Sequence, residues 1–471
     1  MTFEIDGEHN TATFNGNKSL FDEATLEQVE TLVNHPAFEG DENISIMPDA
    51  HWGSGATVGF TMPVGDKIVP NTIGYDIGCG MYASNFGDIS VEDLSALDEA
   101  VRERVPTGFD VHDRNDYHMK DDFPWHLCRK KLNTFVKSNN VSIDTDSVEY
   151  GIEYFKNVCK KVDYDVGRAI NSVGSLGGGN HFIEFGYSDS DELWCIIHSG
   201  SRGLGGQIAS YWQDEAHKRT FEREGSIDIP DSEEQYFEHS DEQKPLKDVQ
   251  PDGLSIDYEK VRAEYDGEAI EGKIGQLRGF LKSGKSEEDV LDWLEGEEAY
   301  GYIIDMIFAQ TYASVSRKQM MRAVEDALDQ VMYDTQLNSS PWIYDEIESV
   351  HNYIDFRDGI IRKGACRAHK GERLIVPLNM RDGTLICRGV GLDSWNQSAS
   401  HGAGRAMSRT AAKDEYSATE FDEETDGVFM SETPLDEIPS AYKDSAEIEE
   451  ALGESVEVVD RIEPVLSIKA D

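Results

Sequence analysis

The chain has 471 residues, 38% of them hydrophobic, and 92 Asp or Glu oppose 43 Lys or Arg, which gives a formal net charge of −49. This length and apolar content exclude a disordered chain and predict a folded protein with one large domain or two to three ordinary ones. The acidic residues are spread along the whole chain. We therefore interpret them as halophilic adaptation to a saline cytoplasm, where about 1 M salt shortens the Debye length to about 3 Å.

Membrane and secretion signals are missing from the sequence. No uncharged apolar run approaches the roughly 20 residues that span a bilayer, and the N-terminus lacks a basic and then apolar signal region. The six cysteines form no C-x-x-C pair, which favours reduced thiols inside a cell. The sequence thus predicts a soluble, cytoplasmic protein with no membrane partner.

The N-terminal part of the chain supplies the first candidate ligands. A helical stretch at 23–32 is followed by strand patterns at 44–51, which ends in MPDAH, and at 56–62. Asp76 and Cys79 then lie three residues apart in the glycine-punctuated string GYDIGCGM. In a reduced protein, a carboxylate and a thiolate so placed suggest ligands for a borderline metal. The alternative is a buried structural cysteine.

The centre of the chain combines two glycine clusters with two apolar runs of strand length. These runs lie within residues 174–205 and carry His181 and His198. Glycine is placed where the backbone turns sharply or approaches a ligand closely, so a neighbouring imidazole can point into open space. The alternative is two core strands with satisfied histidines. Helices are predicted before this region, at 91–104, 124–137 and 148–161.

The part of the chain that follows is mostly helical in pattern. Residues 207–222 predict an amphipathic helix, and 223–295 are the most acidic and least apolar part, which predicts an insertion with short helices at 256–282. Residues 297–332 predict a long core-forming helix. Residues 414–460 form an acidic tail with a helix-like run around Tyr442. The chain ends in a strand that we expect to pair with another strand, which would hold Lys469 inside the fold.

A basic segment, defined here as residues 361–413, follows His351 and Asn352. It carries ten Lys or Arg against three Asp or Glu, and a concentrated cationic surface marks where an anion such as phosphate binds. The alternative is a solvated basic face. His401 stands on a Gly-Ala-Gly turn within this segment. A neutral imidazole there is well placed to attack a phosphorus atom, with a sixth metal ligand as the alternative.

Five candidate metal ligands emerge from this survey: Asp76, Cys79, His181, His198 and His351. One tetrahedral zinc needs only four ligands, and catalytic sites keep one position open. Five donors are therefore better explained by two metals, with the thiolate able to bridge them. The mixed sulfur, nitrogen and oxygen ligation allows Zn, Mn, Co or Fe.

Seven short strings resemble, in order, the motifs of the RtcB family of RNA-splicing ligases: MPDAH, GYDIGCGM, GGGNHFIE, IHSGSRGLG, the His351-Asn352 pair, RKGA and HGAGR. The resemblance covers nearly the full length. It implies an α+β fold in which residues 1–471 form one large RtcB-like domain, with central β-sheets flanked by helices. It also implies an enzyme that uses GTP and Mn(II) to join an RNA 3′-phosphate or 2′,3′-cyclic phosphate to a 5′-hydroxyl end.

The resemblance also implies roles for individual residues. One manganese would be held by Asp76, Cys79 and His181, and a second by Cys79, His198 and His351. His401 would be the nucleophile that takes GMP from GTP, with Asp49 as its orienting partner. The residues that would hold GTP or GMP are Asn180, His181, Phe182, Ile183, Glu184, His351, Asn352, Pro377, Leu378, Asn379, Met380, Thr384, His401, Gly402, Ala403, Gly404 and Lys469. Contacts to phosphate or RNA would come from Arg202, Arg405 and Arg409.

The implied partners are RNA ends from tRNA halves or damaged RNA, in tRNA splicing or RNA repair. The chain would act as a monomer, with or without an activating protein. Two departures from the family pattern stand out. The loop 377–383 replaces a run of small residues, which leaves the nucleotide preference open, and Ser316-Arg317 replaces an Asn-Arg pair. Two rival functions are a dinuclear metal-dependent phosphoesterase and an RNA-binding protein without catalysis.

Overall fold

The computed structural model describes residues 2–114, 116–139, 141, 143–224, 234–239, 254–265, 273–274, 277, 291–334 and 343–470. This part of the chain forms eleven α-helices and seventeen strands, which build four sheets. The predicted α+β class is confirmed. None of the described helices has the length and apolar composition needed to cross a bilayer.

The helices are α1 (Glu23–Val33), α2 (Leu94–Arg104), α3 (Trp125–Asn139), α4 (Ile152–Lys161), α5 (Val166–Asn171), α6 (Arg202–Glu224), α7 (Tyr258–Glu264), α8 (Gly296–Asp334), α9 (Arg409–Glu415), α10 (Ala418–Glu424) and α11 (Ser445–Leu452). The strands are β1 (Thr2–Asp6), β2 (Thr11–Asn15), β3 (Ile44–His51), β4 (Val58–Pro63), β5 (Gly80–Gly87), β6 (Phe182–Ser188), β7 (Leu193–Ser199), β8 (Phe237–His239), β9 (Leu254–Ile256), β10 (Asp345–Val350), β11 (Asn352–Ile354), β12 (Ile360–Lys363), β13 (Ala365–Arg367), β14 (Arg373–Asn379), β15 (Gly383–Gly389), β16 (Ser398–Ser400) and β17 (Val456–Ile468).

A seven-stranded sheet with the order β10-β5-β7-β6-β17-β15-β14 carries most of the predicted site residues. All of its described pairings are antiparallel. Every residue of β5 and β7 is buried, because each strand is paired on both sides and covered on both faces. Along β6 the side chains alternate: Ile183 and Phe185 pack in the core with residues of α2 and α8, whereas Phe182 and Glu184 face the other side.

A six-stranded sheet with the order β1-β2-β3-β4-β12-β11 lies on the other side of the site. Its first two strands were not predicted, although TFEID and TATFN alternate polar and apolar residues, because each run is only five residues long. His351 stands where the chain crosses from β10 of the first sheet to β11 of the second. The two large sheets therefore meet at a predicted ligand, and a small two-stranded sheet of β13 and β16 lies beside them.

Long-range packing is organised by α8, which contacts α2, α3, α6 and strands β5 and β7. Apolar side chains at helical spacing, such as Tyr302, Met306, Phe308 and Tyr312, are fully buried along it. The prediction of a long core-forming helix is confirmed. The six cysteines are all free and buried.

The C-terminal region differs from the prediction in one place. Pro439–Ala441 form a 3-10 turn and Tyr442 makes an isolated β-bridge with Arg405, so the helix-like run predicted around Tyr442 is wrong. The helix begins only at Ser445, where the side chain of Asp444 accepts two backbone N–H groups as its N-cap. The final strand β17 pairs with β6 and β15, and Lys469 after it is buried, as predicted.

The predicted insertion at 223–295 lies largely outside the described residues. Within it, β8 and β9 pair antiparallel and α7 follows β9. The side chain of Asp257 caps this helix by accepting the Lys260 N–H. Phe237, Ile256 and Val261 make a small separate apolar cluster there. None of the predicted site residues lies in this segment.

Candidate active site

The five predicted metal ligands converge from four separate parts of the chain. Asp76 and Cys79 lie on the turn before β5, His181 directly precedes β6, His198 lies in β7, and His351 joins β10 to β11. Their donor atoms form two groups, Asp76 with Cys79 and His181, and Cys79 with His198 and His351. Within each group all donor atoms lie within 4.8 Å of one another. Cys79 belongs to both groups.

Short distances connect the donors of the two groups. The Sγ atom of Cys79 lies 3.5 Å from Nε2 of His181 and 3.3 Å from Nε2 of His198. Nε2 of His181 is 3.0 Å from Oδ2 of Asp76, and Nε2 of His198 is 3.3 Å from Nε2 of His351. Each imidazole thus aims the same nitrogen at a common centre.

The electrostatics of these groups fit a bound cation. Burial lowers the pKa of His198 and of His351 well below the usual value, so both rings are neutral and keep a free lone pair. Burial, with the nearby Asp76 carboxylate, raises the pKa of the Cys79 thiol well above its usual value. Burial opposes ionisation of Asp76 too, but its hydrogen bond and charge interaction with His181 hold the pKa well below the ordinary value. A cation would ionise the thiol and satisfy the lone pairs.

Backbone groups hold the Asp76 loop in place. The Ser201 N–H donates to Oδ1 of Asp76 at 2.9 Å, and the Asn352 side chain donates to the Asp76 carbonyl at 3.3 Å. The backbone of Gly200 comes so close that a Cβ there would overlap the Asp76 carboxylate. Asn352 also accepts the Gly364 N–H at 2.9 Å. It therefore joins the metal loop to the turn after β12.

The sequence names Arg317 of α8 only as part of a departure from the family pattern and predicts no role for it, although it contacts three segments that carry the predicted ligands. Its fully buried guanidinium donates to the carbonyls of Gly78 and Ser199, both at 2.8 Å, and pairs with Glu348 at 2.8 Å. These partners lie one to three residues from Cys79, His198 and His351. The helical pattern around Arg317 indicated only core packing, since a long-range contact of this kind leaves no local signal.

His401 lies beside the second ligand group. Its Nδ1 is 2.7 Å from Oδ2 of Asp49, and its ring centroid is 4.8 Å from that of His351. Asp49 is fully buried, and although burial opposes its ionisation, its interactions with His401 hold the pKa below the ordinary value. An ionised carboxylate accepts a hydrogen bond, so Nδ1 of His401 carries the proton and Nε2 presents a lone pair.

A pocket that is open to solvent adjoins His401. Of the predicted nucleotide-binding residues, twelve line it besides His401 itself: Asn180, Phe182, Glu184, Pro377, Leu378, Asn379, Met380, Thr384, Gly402, Ala403, Gly404 and Lys469. His198, Arg405 and Arg409 line it as well. The side chain of Ile183 points into the core on the opposite face of β6, so only its backbone could face the pocket. His181, His351 and Asn352 lie at the metal groups and do not line the pocket.

Four residues that line this pocket were missed: His51, Met81, Glu437 and Tyr442. Glu437 is the most consequential, because it accepts from Lys469 at 2.9 Å, from Arg405 at 3.2 Å and from Arg409 at 2.6 Å. Burial would raise the pKa of Glu437, but Lys469 and Arg409 hold it at about 2. Nothing in the acidic tail distinguished this carboxylate from its neighbours.

The basic segment is not a free cationic surface, which corrects the prediction. Arg362 is fully buried and pairs with Asp358, Arg373 pairs with Asp345, and Arg367 pairs with Asp355. The count over residues 361–413 omitted acids that lie just outside that window. Arg202, the third predicted phosphate contact, is also engaged: it donates to Ser175 at 3.0 Å and to the Gly108 carbonyl at 3.1 Å.

Comparisons with known proteins agree with this geometry. The sequence model described as tRNA-splicing ligase RtcB matches residues 28–245 and 287–470. The chain is 30% identical to an RNA-splicing ligase RtcB1 of Escherichia coli strain ATCC 25922, over 91% of this chain and 90% of that protein. It is 25% identical to a tRNA-splicing ligase RtcB of Nanoarchaeum equitans, over 91% and 88% of the two chains. The chain therefore belongs to the RtcB family of tRNA-splicing ligases, and it is an RNA ligase.

Proposed function

We propose that this ligase joins an RNA 3′-phosphate or 2′,3′-cyclic phosphate end to a 5′-hydroxyl end, with GTP as the source of a GMP that is carried on His401. The observation that carries the proposal is the position of His401. Its ring lies 4.8 Å from His351 of one ligand group, and Asp49 holds its Nδ1 at 2.7 Å. A nucleophile, its orienting carboxylate and a cation site are thus adjacent.

In the first step Nε2 of His401 attacks the α-phosphorus of GTP. A bond forms between nitrogen and phosphorus, the bond from phosphorus to the bridging oxygen breaks, and pyrophosphate leaves. Nδ1 keeps its proton throughout, because it donates to the Asp49 carboxylate. That carboxylate also stabilises the positive charge that develops on the ring.

In the second step an oxygen of the RNA 3′-phosphate attacks the phosphorus carried on His401. The nitrogen–phosphorus bond breaks, the histidine returns neutral, and the RNA end is activated as a phosphoanhydride between its 3′-phosphate and GMP. The 5′-hydroxyl oxygen then bonds to the RNA 3′-phosphorus and releases its proton to water, while the anhydride bond breaks and GMP leaves with the electron pair of that bond. A 2′,3′-cyclic phosphate must first be opened by water to a 3′-phosphate.

Two divalent cations, which we propose to be Mn(II), fit the two ligand groups. Asp76, Cys79 and His181 would hold one, and Cys79, His198 and His351 the other. Bound there, they would neutralise phosphate charge while the nucleophile attacks. The fit rests on neutral imidazoles and a thiol that share one centre, as described above.

The pocket beside His401 is proposed to hold the guanylate. On one side of the pocket, Glu184 accepts a hydrogen bond from Thr384 at 3.2 Å. On another side, Lys469, Arg405 and Arg409 surround Glu437. The three cations can exchange part of their contact with Glu437 for the phosphate of a bound nucleotide. The physiological role would be tRNA splicing or RNA repair, by a monomer in the cytoplasm, with RNA halves or damaged RNA as partners.

The test is transfer of label from α-³²P-GTP to the protein with Mn(II) in molar KCl. We expect an acid-labile label that is absent in His401→Ala and retained in His369→Ala. His369 is a matched control because it also contacts a carboxylate, Asp358 at 2.8 Å, away from the pocket. Asp49→Asn should slow labelling by about 10²- to 10⁴-fold, the range for a lost orienting carboxylate.

A dinuclear metal-dependent phosphoesterase is the second candidate, favoured only by the paired ligand groups. It predicts phosphate release from RNA 3′-phosphates and no protein label under any salt condition. Joining of a 3′-phosphate RNA to a 5′-hydroxyl RNA, dependent on both GTP and Mn(II), would exclude it. Absence of label together with phosphate release would overturn the ligation mechanism proposed here.

A further inference from the structure

His51, the last residue of β3, lines the same pocket as His401 and has no part in the steps described above. The other histidines of the pocket wall are His198, a proposed metal ligand, and His401, the proposed nucleophile. Among the described residues that line the pocket, His51 is thus the one imidazole without a proposed role. Its ring is half-buried, so it borders the pocket without being sealed from water.

Asp49 connects His51 with the nucleophile. Oδ2 of Asp49 lies 2.7 Å from Nδ1 of His401, and the backbone carbonyl oxygen of Asp49 lies 3.1 Å from Nδ1 of His51. Gly404, in the turn after His401, packs against the same carbonyl, because a Cβ there would overlap it. The two imidazoles are therefore both hydrogen-bonded to one residue, and both border the pocket.

Lys443 fixes the backbone on which His51 lies. Its ammonium group donates to the Ala50 carbonyl at 2.5 Å and to the Pro48 carbonyl at 3.4 Å. The backbone N–H of Lys443 donates to the Gly404 carbonyl at 3.0 Å. One residue thus contacts both the end of β3 and the turn after His401. The position of His51 relative to the nucleophile is set by these backbone contacts.

The hydrogen bond to Asp49 determines which nitrogen of His51 carries the proton. A backbone carbonyl only accepts, so Nδ1 of His51 is protonated and Nε2 keeps a lone pair. Burial lowers the pKa of His51 to about 4, and the nearby Lys443 acts in the same direction, although the hydrogen bond to Asp49 opposes them. The ring is therefore neutral at pH 7. Through Nε2 it can accept a proton, but it cannot donate a hydrogen bond to a phosphate.

The joining step releases a proton that His401 is not placed to accept. When the 5′-hydroxyl oxygen bonds to the RNA 3′-phosphorus, its O–H bond breaks. In-line displacement puts the incoming RNA oxygen and the departing His401 nitrogen on opposite faces of the GMP phosphorus. The RNA 3′-phosphorus is therefore separated from His401 by GMP. A different acceptor in the pocket wall is needed.

We propose that Nε2 of His51 accepts the proton of the RNA 5′-hydroxyl in the joining step. This inference rests on the proposed function, because it names the base for its last step. The electron pair of the O–H bond forms the new bond to the 3′-phosphorus, the anhydride bond breaks, and GMP leaves with the electron pair of that bond. The half-buried imidazolium then passes the proton to water, and the neutral ring returns.

Bound substrates strengthen His51 as a base. The RNA phosphate and GMP bring negative charge into the pocket, and negative charge nearby favours the protonated form of an imidazole. The ring therefore gains proton affinity when both RNA ends and GMP are in place. Without them it stays neutral, because Lys443 and burial disfavour the proton.

The experiment follows the separate steps with GTP, Mn(II) and RNA that ends in a 3′-phosphate, in molar KCl. His51→Asn keeps a donor for the Asp49 carbonyl and removes Nε2. We expect normal labelling of His401 and normal transfer of GMP to the RNA. Joining to a 5′-hydroxyl RNA should slow by about 10²- to 10⁴-fold, the range for a lost general base, so that activated RNA accumulates. His369→Asn, a histidine away from the pocket, should join at the wild-type rate.

Two further variants test the proton transfer itself. His51→Ala leaves space for free imidazole, which should restore part of the joining rate at a concentration that leaves the wild type unchanged. Glu184→Gln tests the other base in the pocket wall, which accepts from Thr384.

Four results would overturn the role of His51. These are wild-type joining in His51→Asn, equal slowing of labelling and joining in that variant, no restoration of His51→Ala by imidazole, and slow joining only in Glu184→Gln. A wild-type protein that takes no label from GTP would instead overturn the proposed function.

Discussion

The two halves of the candidate site handle charge in opposite ways. At the metal groups the donors are buried, two of the three imidazoles are held neutral by burial, and the thiol is kept from ionising. At the pocket beside His401 the charges are present and already paired, with Glu437 between Lys469, Arg405 and Arg409. The donors of the first half are arranged so that they could hold a cation. The second is complete when empty and can exchange one anion for another.

Loss of Cys79, the donor that both ligand groups share, should have the largest effect of all, and this effect is on Mn(II) binding. Cys79→Ser removes the only atom common to both ligand groups, so the number of tightly bound Mn(II) ions should fall for both groups together. The loss of affinity should exceed the roughly 10- to 100-fold cost of an outer-shell change. Isothermal titration with Mn(II) measures it.

Cys195→Ala is the matched control for that measurement. Cys195 lies in the same strand as His198 but packs into the core, so Mn(II) binding should be unchanged. A Cys79→Ser protein that still binds two ions with wild-type affinity would contradict the shared-ligand arrangement.

Removal of the Glu437 carboxylate from the pocket beside His401 should lower the free energy of unfolding. Glu437→Gln leaves three cations without their shared partner, and breaking a buried ion pair typically costs about 3–5 kcal/mol of unfolding free energy. Added inorganic phosphate should restore part of this loss, since the freed cations can bind it. Urea denaturation with and without phosphate measures both effects.

Asp436→Asn provides the comparison for Glu437→Gln. Asp436 pairs with the same Arg409 at 2.7 Å but is more exposed, so its loss should cost only about 0–1 kcal/mol. Equal destabilisation by the two variants, or no response of Glu437→Gln to phosphate, would show that the pocket charges do not act as an exchangeable set.

The two buried pocket carboxylates should give opposite pH dependences. Burial raises the pKa of Glu184 from 4.5 to about 7, so the folded state binds this proton more tightly and stability falls as pH rises from about 4.5 to about 7. At about 1.4 kcal/mol per pKa unit, the loss is about 3 kcal/mol. The pKa of Glu437 is lowered to about 2, so its contribution is present above pH 4.5 and is lost as pH falls toward 2.

Glu184→Gln should therefore flatten the stability profile between pH 4.5 and 7, measured by urea denaturation at constant salt. Glu457→Gln, on an exposed position of β17 in the same sheet, should leave the profile unchanged. A profile that keeps its slope in Glu184→Gln would show that the pKa of Glu184 is not raised in the folded protein.

The smallest effect is expected from Arg317, which contacts the segments that carry the predicted metal ligands. Arg317→Lys keeps the charge but cannot reach the Gly78 and Ser199 carbonyls and Glu348 with one planar fork. Mn(II) affinity should fall by about 10- to 100-fold, again by titration. Lys318→Ala, at the half-exposed neighbouring position, is the control. Equal affinities in wild type and Arg317→Lys would assign Arg317 to core packing alone.

The sequence supported the metal half of the site better than the pocket half. Each metal ligand lies in a short string with glycine or a strand end beside it, so Asp76, Cys79, His181, His198 and His351 could be found one by one. Glu437 and Tyr442 lie in an acidic tail without such a signal, and only tertiary contacts single them out. Ile183 was included because a run of five residues was carried over together, although alternation along β6 turns its side chain into the core.

The elements show the same division between local and long-range information. Helix α8 and strands β3, β6 and β7 follow from local periodicity and were predicted within a few residues. Strands β1 and β2 were missed because each alternating run is only five residues long; β1 pairs with β2, and β2 pairs with β3, which ties both to the sheet. The basic segment was misinterpreted for a related reason. Charge counted along the chain does not show which acids, such as Asp345 and Asp355, fold back onto it.

The position of His351 at the crossing between the two large sheets has a further consequence. His401 is oriented by Asp49 of the six-stranded sheet, whereas His198 is fixed in the seven-stranded sheet. Any ligand that spans these groups fastens one sheet to the other. We therefore expect calorimetric unfolding of the ligand-free protein to show two transitions. Saturation with Mn(II) and nucleotide should merge them into one.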